Sequence, residues 1–308
     1  MPFMMTFAKK RVCRGSCKSP TGNCTVPGDD GFPVQCVGLW VQDKYSFLER
    51  YLVGTRYARK KYSDNNNSVY IDLFSGPGKC VVKNKGVEIE NGALRVLLHQ
   101  EIPFSEYYYF DVIQENTDAL RSRIGNKPGC IFQCCDSNDS IGELVQELLR
   151  KPYRYHFVYL DPFGPDALPF STIAELSRLE HLDLFIHFPI GAIRRNLPLW
   201  KSGDYNALDK FLGTNSWRVK LEEMRKGEKL HILLDLYKDQ LLKAGFPEEG
   251  LRMADSDLNT PATMPIASVK NSMDVELYVL VLASKREIAL RIWNSVLKIE
   301  PCGQRKMF

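Results

Sequence analysis

What this sequence lacks narrows it before any motif is read. No run of about 18 apolar residues occurs among its 308, so no membrane-spanning helix is expected. Residues 1–14 hold no continuous apolar stretch of the signal-peptide kind, and the chain reads as cytoplasmic. Neither sign of charge dominates. The 41 Lys and Arg against 37 Asp and Glu leave a net charge of +4, a sign that suits a nucleic-acid partner and a size that does not require one. Histidine is scarce, five in all, with no pair at metal-ligand spacing. There is no Ser, His and Asp set in a nucleophile-elbow context and no carboxylate pattern of a two-metal nuclease. Repeats and low-complexity segments are absent, and 44% apolar with 25% charged residues excludes a disordered or collagenous chain. Nine cysteines, an odd number, read as free thiols or metal ligands rather than a disulfide framework.

What is present alternates. Six short runs rich in Val, Ile, Tyr and Phe, at 69–74, 107–112, 131–135, 156–161, 182–189 and 276–284, read as strands. They are continuous rather than alternating, as strands buried on both faces of a mostly parallel sheet are. Helical patterns at 115–124, 141–151 and 171–179 lie between them, which predicts a doubly wound α/β sheet. Ahead of the first strand, Trp40, Lys44, Phe47, Leu48, Tyr51 and Leu52 recur at helical spacing and predict an amphipathic helix over 40–62. Its Arg50, Arg56, Arg59, Lys60 and Lys61 form either a solvated basic face or a phosphate-binding one. Further helices are expected at 228–245 and 285–299, with 251–272 loop-rich. The division expected is a Cys-containing N-terminal extension (1–39) and one Rossmann-like domain (40–308) with a helical and loop insertion at about 191–272 before the last strand.

The sharpest motif is Asp72-Leu73-Phe74-Ser75-Gly76-Pro77-Gly78 at the end of the first strand, where glycines let backbone approach a ligand. Asp111 ends the second strand, where a doubly wound nucleotide site places a carboxylate on the ribose hydroxyls. Asp136 ends the third and could accept from an adenine amino group. Each acid could equally be a helix N-cap. The fourth strand ends in Asp161-Pro162-Phe163-Gly164, similar to the Asp-Pro-Pro-Tyr sequence of amino-group methyltransferases. There the carboxylate and proline carbonyl hold the target amine and the aromatic stacks on the base; here Phe163 stands third and Gly164 fourth. Arg194 and Arg195 after the fifth strand could meet phosphate or lie on an exposed loop. His187, inside an apolar run, reads as a core residue ahead of a catalyst, and Cys134 and Cys135 as core thiols. Cys13, Cys17, Cys24 and Cys36, with three, six and eleven residues between them, are compatible with a zinc site but lack its usual two-residue knuckles.

Several segments together resemble one family. They are Asp30-Gly31-Phe32-Pro33 with Val37-Gly38 and Trp40 before a helix carrying Lys44; Tyr70 through Gly78; Leu160 through Gly164; Phe188-Pro189-Ile190-Gly191 with Arg194 or Arg195; Phe211-Leu212-Gly213-Thr214 with Trp217; and Ala283-Ser284-Lys285 with Trp293. In order and spacing, over about residues 30 to 300, the sequence resembles the three-Cys-motif partner protein family of prokaryotes and phages. That resemblance implies a Rossmann-like domain of the S-adenosylmethionine (SAM) methyltransferase type. It also implies a neighbouring partner protein that carries the three cysteines and resembles radical SAM proteins. This chain does not itself hold the cluster motif, since a third cysteine at C-x3-C-x2-C spacing would fall on Pro20. The expected function is SAM-dependent methyl transfer to nucleic acid or a nucleotide-like amine. Asp72, Phe74 and Gly76 to Gly78 would hold the methionine end, Asp111 the ribose and Asp136 the adenine, with Asp161, Pro162 and Phe163 at the nucleophile. The rival expectation is a non-catalytic or adaptor protein working with the three-Cys partner.

Overall fold

The computed structural model describes residues 24–83, 85–151, 153–202, 207–223, 231–248, 251 and 264–299. A seven-stranded sheet forms the centre. In chain order its strands are β3 (Ser68–Asp72), β6 (Glu106–Asp111), β7 (Cys130–Cys134), β8 (Tyr155–Leu160), β9 (His181–Phe188), β10 (Ile266–Lys270) and β11 (Glu276–Ser284), and across the sheet the order is β10-β11-β9-β8-β3-β6-β7. The pairs β7 to β6, β6 to β3, β3 to β8 and β8 to β9 are parallel; β11 runs antiparallel to β9 and to β10. This is the doubly wound, mostly parallel α/β sheet that the sequence predicts. All five residues of β3 are buried because helices cover both faces.

One face packs against α1 (Val41–Ser63), α2 (Gly92–Leu98) and α10 (Glu287–Leu297), the other against α4 (Ser137–Leu149), α5 (Phe170–Leu176), α7 (Ala207–Leu212) and α9 (His231–Lys243). The remaining helices are α3 (Gln114–Ile124), α6 (Ile190–Ser202) and α8 (Trp217–Glu223). α1 buries Lys44, Phe47, Leu48, Tyr51 and Leu52 of the expected stripe, and Val41, Tyr45, Thr55 and Arg59 beside them. It approaches α10 closely at Gly54, where an added Cβ would stand 2.5 Å from Ile292 Cγ2.

Three expectations are corrected. The six expected strands are present, but 251–272 is not all loop: its last part is β10, a two-faced edge strand whose alternating Ala267 and Val269 face inward. A short half-polar run carries a weak signal beside continuous core strands. Residues 252–263, in the same segment, lie outside the described residues. A second sheet, β1 (Thr25–Pro27), β2 (Pro33–Val37), β4 (Lys79–Val82) and β5 (Val87–Glu90) in the order β1-β2-β4-β5, was not foreseen. Its β2 pairs parallel with β4, so residues 25–37 join the strand that directly follows the glycine turn. Finally, the basic set on α1 is not one face. Arg59 is 1% exposed and donates to the Ile102 carbonyl and Gln100, Arg56 pairs with Glu101, and Lys60 pairs with Asp64.

Candidate functional site

β3 lies at the point where the chain's winding reverses, with β6 on one side and β8 on the other, and the carboxyl ends of these strands are where such sheets bind ligands. The turn after β3 is held from several directions. Gly76 and Gly78 have φ of +59° and +92°, a region that side-chain-bearing residues rarely adopt. Ser75 donates through N and Oγ to the Phe110 carbonyl, Gly76 N donates to Asp111 Oδ2 at 3.0 Å, and Asn91 Nδ2 donates to the Ser75 carbonyl. Asn91 also caps α2 and sends its own N–H to the Gly78 carbonyl. The turn therefore meets a helix start only after the β4-β5 hairpin.

The segment Asp30 to Pro33 is a clamp on that turn. Asp30 accepts from Arg123 through both oxygens and from Lys79, while Arg123 Nη1 donates to the Pro33 and Pro77 carbonyls. The Arg123 guanidinium beside Asp30 holds its carboxyl well below the usual range.

The cleft above the turn is lined by Gln35, Trp40, Lys44, Tyr45, Phe74, Gly76, Pro77, Asn116, Asp161, Pro162, Phe163 and Tyr278, with about 480 Å³ of space that opens to solvent. It thus brings together both expected motifs: the turn residues Phe74, Gly76 and Pro77, and the strand-end residues Asp161, Pro162 and Phe163. Phe163 is 42% exposed at its mouth.

Asp161 is the electrostatic centre. Its Oδ2 lies 2.5 Å from Lys44 Nζ, and its Oδ1 lies 2.8 Å from His187 Nδ1. The histidine contact has ion-pair distance without hydrogen-bond alignment, and neither ring nitrogen of His187 has a hydrogen-bond partner among the described residues. Burial alone would raise the Asp161 pKa; the facing His187 and Lys44 outweigh it and hold the carboxyl well below the usual range. Burial lowers the pKa of His187, only partly offset by Asp161. Burial thus disfavours the charged form of the ring while Asp161 favours it, and Lys44 is the second partner that favours the ionised carboxylate.

The other expected residues are placed differently. Asp72, 1% exposed, sits beneath the cleft and accepts from Phe74 N and Tyr70 Oη. Burial pushes its pKa up to about 7, against those two hydrogen bonds. Gly78 faces Leu94 and Leu120 rather than the cleft. Asp111 accepts from Gly76 N, Ile113 N and Asn116 Nδ2, and burial raises its pKa. Asp136 is exposed and is the N-cap of α4, accepting from Asn138 N at 2.9 Å. Cys134 is exposed rather than in the core, and Cys135 is half-buried with its Sγ 3.0 Å from Ser140 Oγ. Arg194 donates to the Glu276 carbonyl and pairs loosely with its carboxylate; Arg195 is exposed. Cys24 and Cys36 are brought side by side, Cys36 N donating to the Cys24 carbonyl, whereas Cys13 and Cys17 lie outside the described residues. No group of three or more metal-ligating side chains occurs among the described residues.

Sequence reasoning did not single out Lys44, Tyr278, Gln35 and Asn116, which line the cleft, and His187 is the buried strand residue it was read as, with Asp161 facing it. Two signals were available. Lys44 is a charged residue on the apolar stripe of an amphipathic helix, and His187 is a polar residue inside a core strand. Each demands a buried partner, and the partner is the same carboxylate.

No helix among the described residues is long and apolar enough to cross a membrane. No family model matches the chain, and no curated protein matches it. Among solved structures it is similar to a SAM-dependent methyltransferase from Anabaena variabilis ATCC 29413, with 12% identity, 80% of this chain and 95% of that chain covered, and a TM-score of 0.32.

Proposed function

We propose that the chain is a SAM-dependent methyltransferase whose reaction takes place at Asp161. The observation that carries this reading is the single cleft at the sheet's reversal point in which the glycine turn and the Asp161-Pro162-Phe163 strand end face each other.

The residues present fit the cofactor. The Gly76 and Pro77 backbone would form one wall, and the amides of Asn116 and Gln35 would supply hydrogen bonds. Asp111, outside the lining itself, holds the Gly76 N–H and the Asn116 amide that form it. When bound, SAM supplies an already activated methyl group on a positively charged sulfur. Little acid or base chemistry is then asked of the chain, and its main work is orientation. Asp161 is paired with Lys44 and faced by His187, Pro162 follows it in the cleft lining, and Phe163 flanks the entrance. Asp111, bonded to the Gly76 N–H, keeps the turn in its left-handed conformation.

Calorimetric titration of SAM and S-adenosylhomocysteine into the full-length protein tests the reading. Micromolar binding that is lost in Asp111→Ala and kept in Asp136→Ala is expected, since Asp111 braces the cleft wall and Asp136 caps a helix outside it. Absence of binding to the folded protein would sink the proposal and favour the adaptor role with a three-Cys partner. Nucleic acid or a nucleotide-like amine was the substrate expected from the motif. The amine meets an obstacle in the site itself, because its place at Asp161 is held by the ammonium of Lys44.

A further inference from the structure

The sign of the charge inside the cleft selects among nucleophiles. Lys44 is 4% exposed, and its Nζ lies 5.0 Å from the ring centre of Tyr45 and 5.6 Å from that of Trp40. An ammonium has three N–H donors. One meets Asp161 Oδ2, and among the described residues no second oxygen or nitrogen accepts from Nζ. A cation that lines a cleft with donors to spare stabilises negative charge developing beside it. An amine would become positive as its new bond formed, next to that same buried ammonium. A hydroxyl that gives up its proton becomes negative there.

The acceptors are weak bases. Asp161 is held low by its neighbours, and burial lowers the pKa of His187. An aliphatic alcohol is too poor an acid for them, whereas a phenol-type hydroxyl, with a pKa of about 10, comes within reach. Trp40, Phe74, Phe163 and Tyr278 give the cleft planar walls.

Resting on the methyl-transfer reading, we infer that this cleft takes a hydroxyl on a planar ring, phenolic or enolic, with its oxygen on Lys44 Nζ and its proton passed to the Asp161–His187 pair. The oxygen's electron pair forms the O–CH3 bond, the donor's sulfur keeps the pair of the S–CH3 bond that breaks, and the hydroxyl proton stays on the pair. The positive charge lost at sulfur is thereby regained as that proton. While the oxyanion exists, ligand, Lys44, Asp161 and His187 alternate in sign, and no charge in the row lacks an opposite neighbour. The other ionisable groups facing this row are Tyr45, Asp72, Cys80, Tyr159, Tyr278 and Arg95. Burial raises the three tyrosines and Cys80, which stay protonated at neutral pH; Arg95 lies over the Tyr45 ring.

The test uses two probes of nearly the same shape, 4-nitrophenol and 4-nitroaniline, added to the full-length protein with and without S-adenosylhomocysteine. Bound nitrophenol is expected to show the phenolate absorption band with its apparent pKa lowered by about one unit, and nitroaniline to bind at least roughly tenfold more weakly. Lys44→Met should abolish the phenolate band, and Lys44→Arg, which keeps the charge, should retain part of it; circular dichroism confirms that both variants are folded. Equal or tighter binding of nitroaniline, bound nitrophenol that stays protonated, or binding of neither probe would overturn the inference. A phenolate band without S-adenosylhomocysteine binding would instead overturn the methyl-transfer reading and leave the oxyanion site standing.

Discussion

At the scale of single residues, two carboxylates about the same cleft are pushed in opposite directions. Asp161 ionises below its ordinary range, and Asp72, beneath it, titrates near 7. For Asp72 the folded pKa lies above the unfolded value of about 3.9, so the folded state binds the extra proton between the two. Its contribution to stability is therefore present at low pH and lost as pH rises from about 4 to 7, by up to a few kcal/mol. Asp72→Asn should flatten that decline, as read from urea unfolding at a series of pH values; an unchanged slope would remove Asp72 as its source. Asp161 has the reverse sign, with stability present above about pH 4 and lost as pH falls further. Removing the partner of a buried cation is costly, so Asp161→Ala should destabilise by about 3 kcal/mol. Lys44→Met made in the same background should recover part of the loss, and a double-mutant cycle measures it. These residues also show where the sequence was readable. Asp161, Pro162, Phe163 and, from the glycine turn, Phe74, Gly76 and Pro77 stood at strand ends and line one cleft. Asp136 matched the same rule and became a helix cap, because an acid before a helix meets free N–H groups whether or not a ligand is near. Lys44 is 117 residues from Asp161, a separation that no local pattern reports.

At the scale of elements, the core strands were legible because continuous apolar runs have few alternatives, and the amphipathic helices because their spacing is periodic. The four short strands of the second sheet were not. β1 and β4 are three and four residues long, and what makes them strands is pairing across the chain rather than composition. The element most dependent on such pairing is the glycine turn, gripped by Arg123 and through it by Asp30. Asp30→Ala should leave the central sheet folded but weaken ligand binding at the cleft by about tenfold or more, since Arg123, only 4% exposed, would lose its carboxylate and with it the hold on Pro77. Calorimetry against thermal unfolding separates the two effects. The contact of α1 with α10 gives a second expectation. Gly54→Val places side-chain atoms inside Ile292 and should lower stability by about 1–3 kcal/mol, measurable as a fall in the urea midpoint.

At the scale of the whole molecule, the cleft is assembled from β2, α1, the β3 turn, α3, the β8 end and β11, so its lining runs from Gln35 to Tyr278. Ligand binding should therefore protect far more than a loop. In hydrogen exchange, S-adenosylhomocysteine is expected to slow β2, β4 and the start of α3 together; protection confined to 73–78 would separate the second sheet from the site. The same layout has a consequence for the order of events during synthesis. The strand that completes the turn's support is made early, yet its parallel partner β4 lies beyond α1 and β3, and Asp30 waits for an arginine 93 residues further on. Residues 25–37 leave the ribosome able to pair only with each other, β1 on β2, and the pocket cannot close until β11 of the central sheet supplies Tyr278. A nascent chain that stops short of β11 would thus carry the motifs without the cavity, and occupancy of the pocket becomes a report that synthesis has passed that strand.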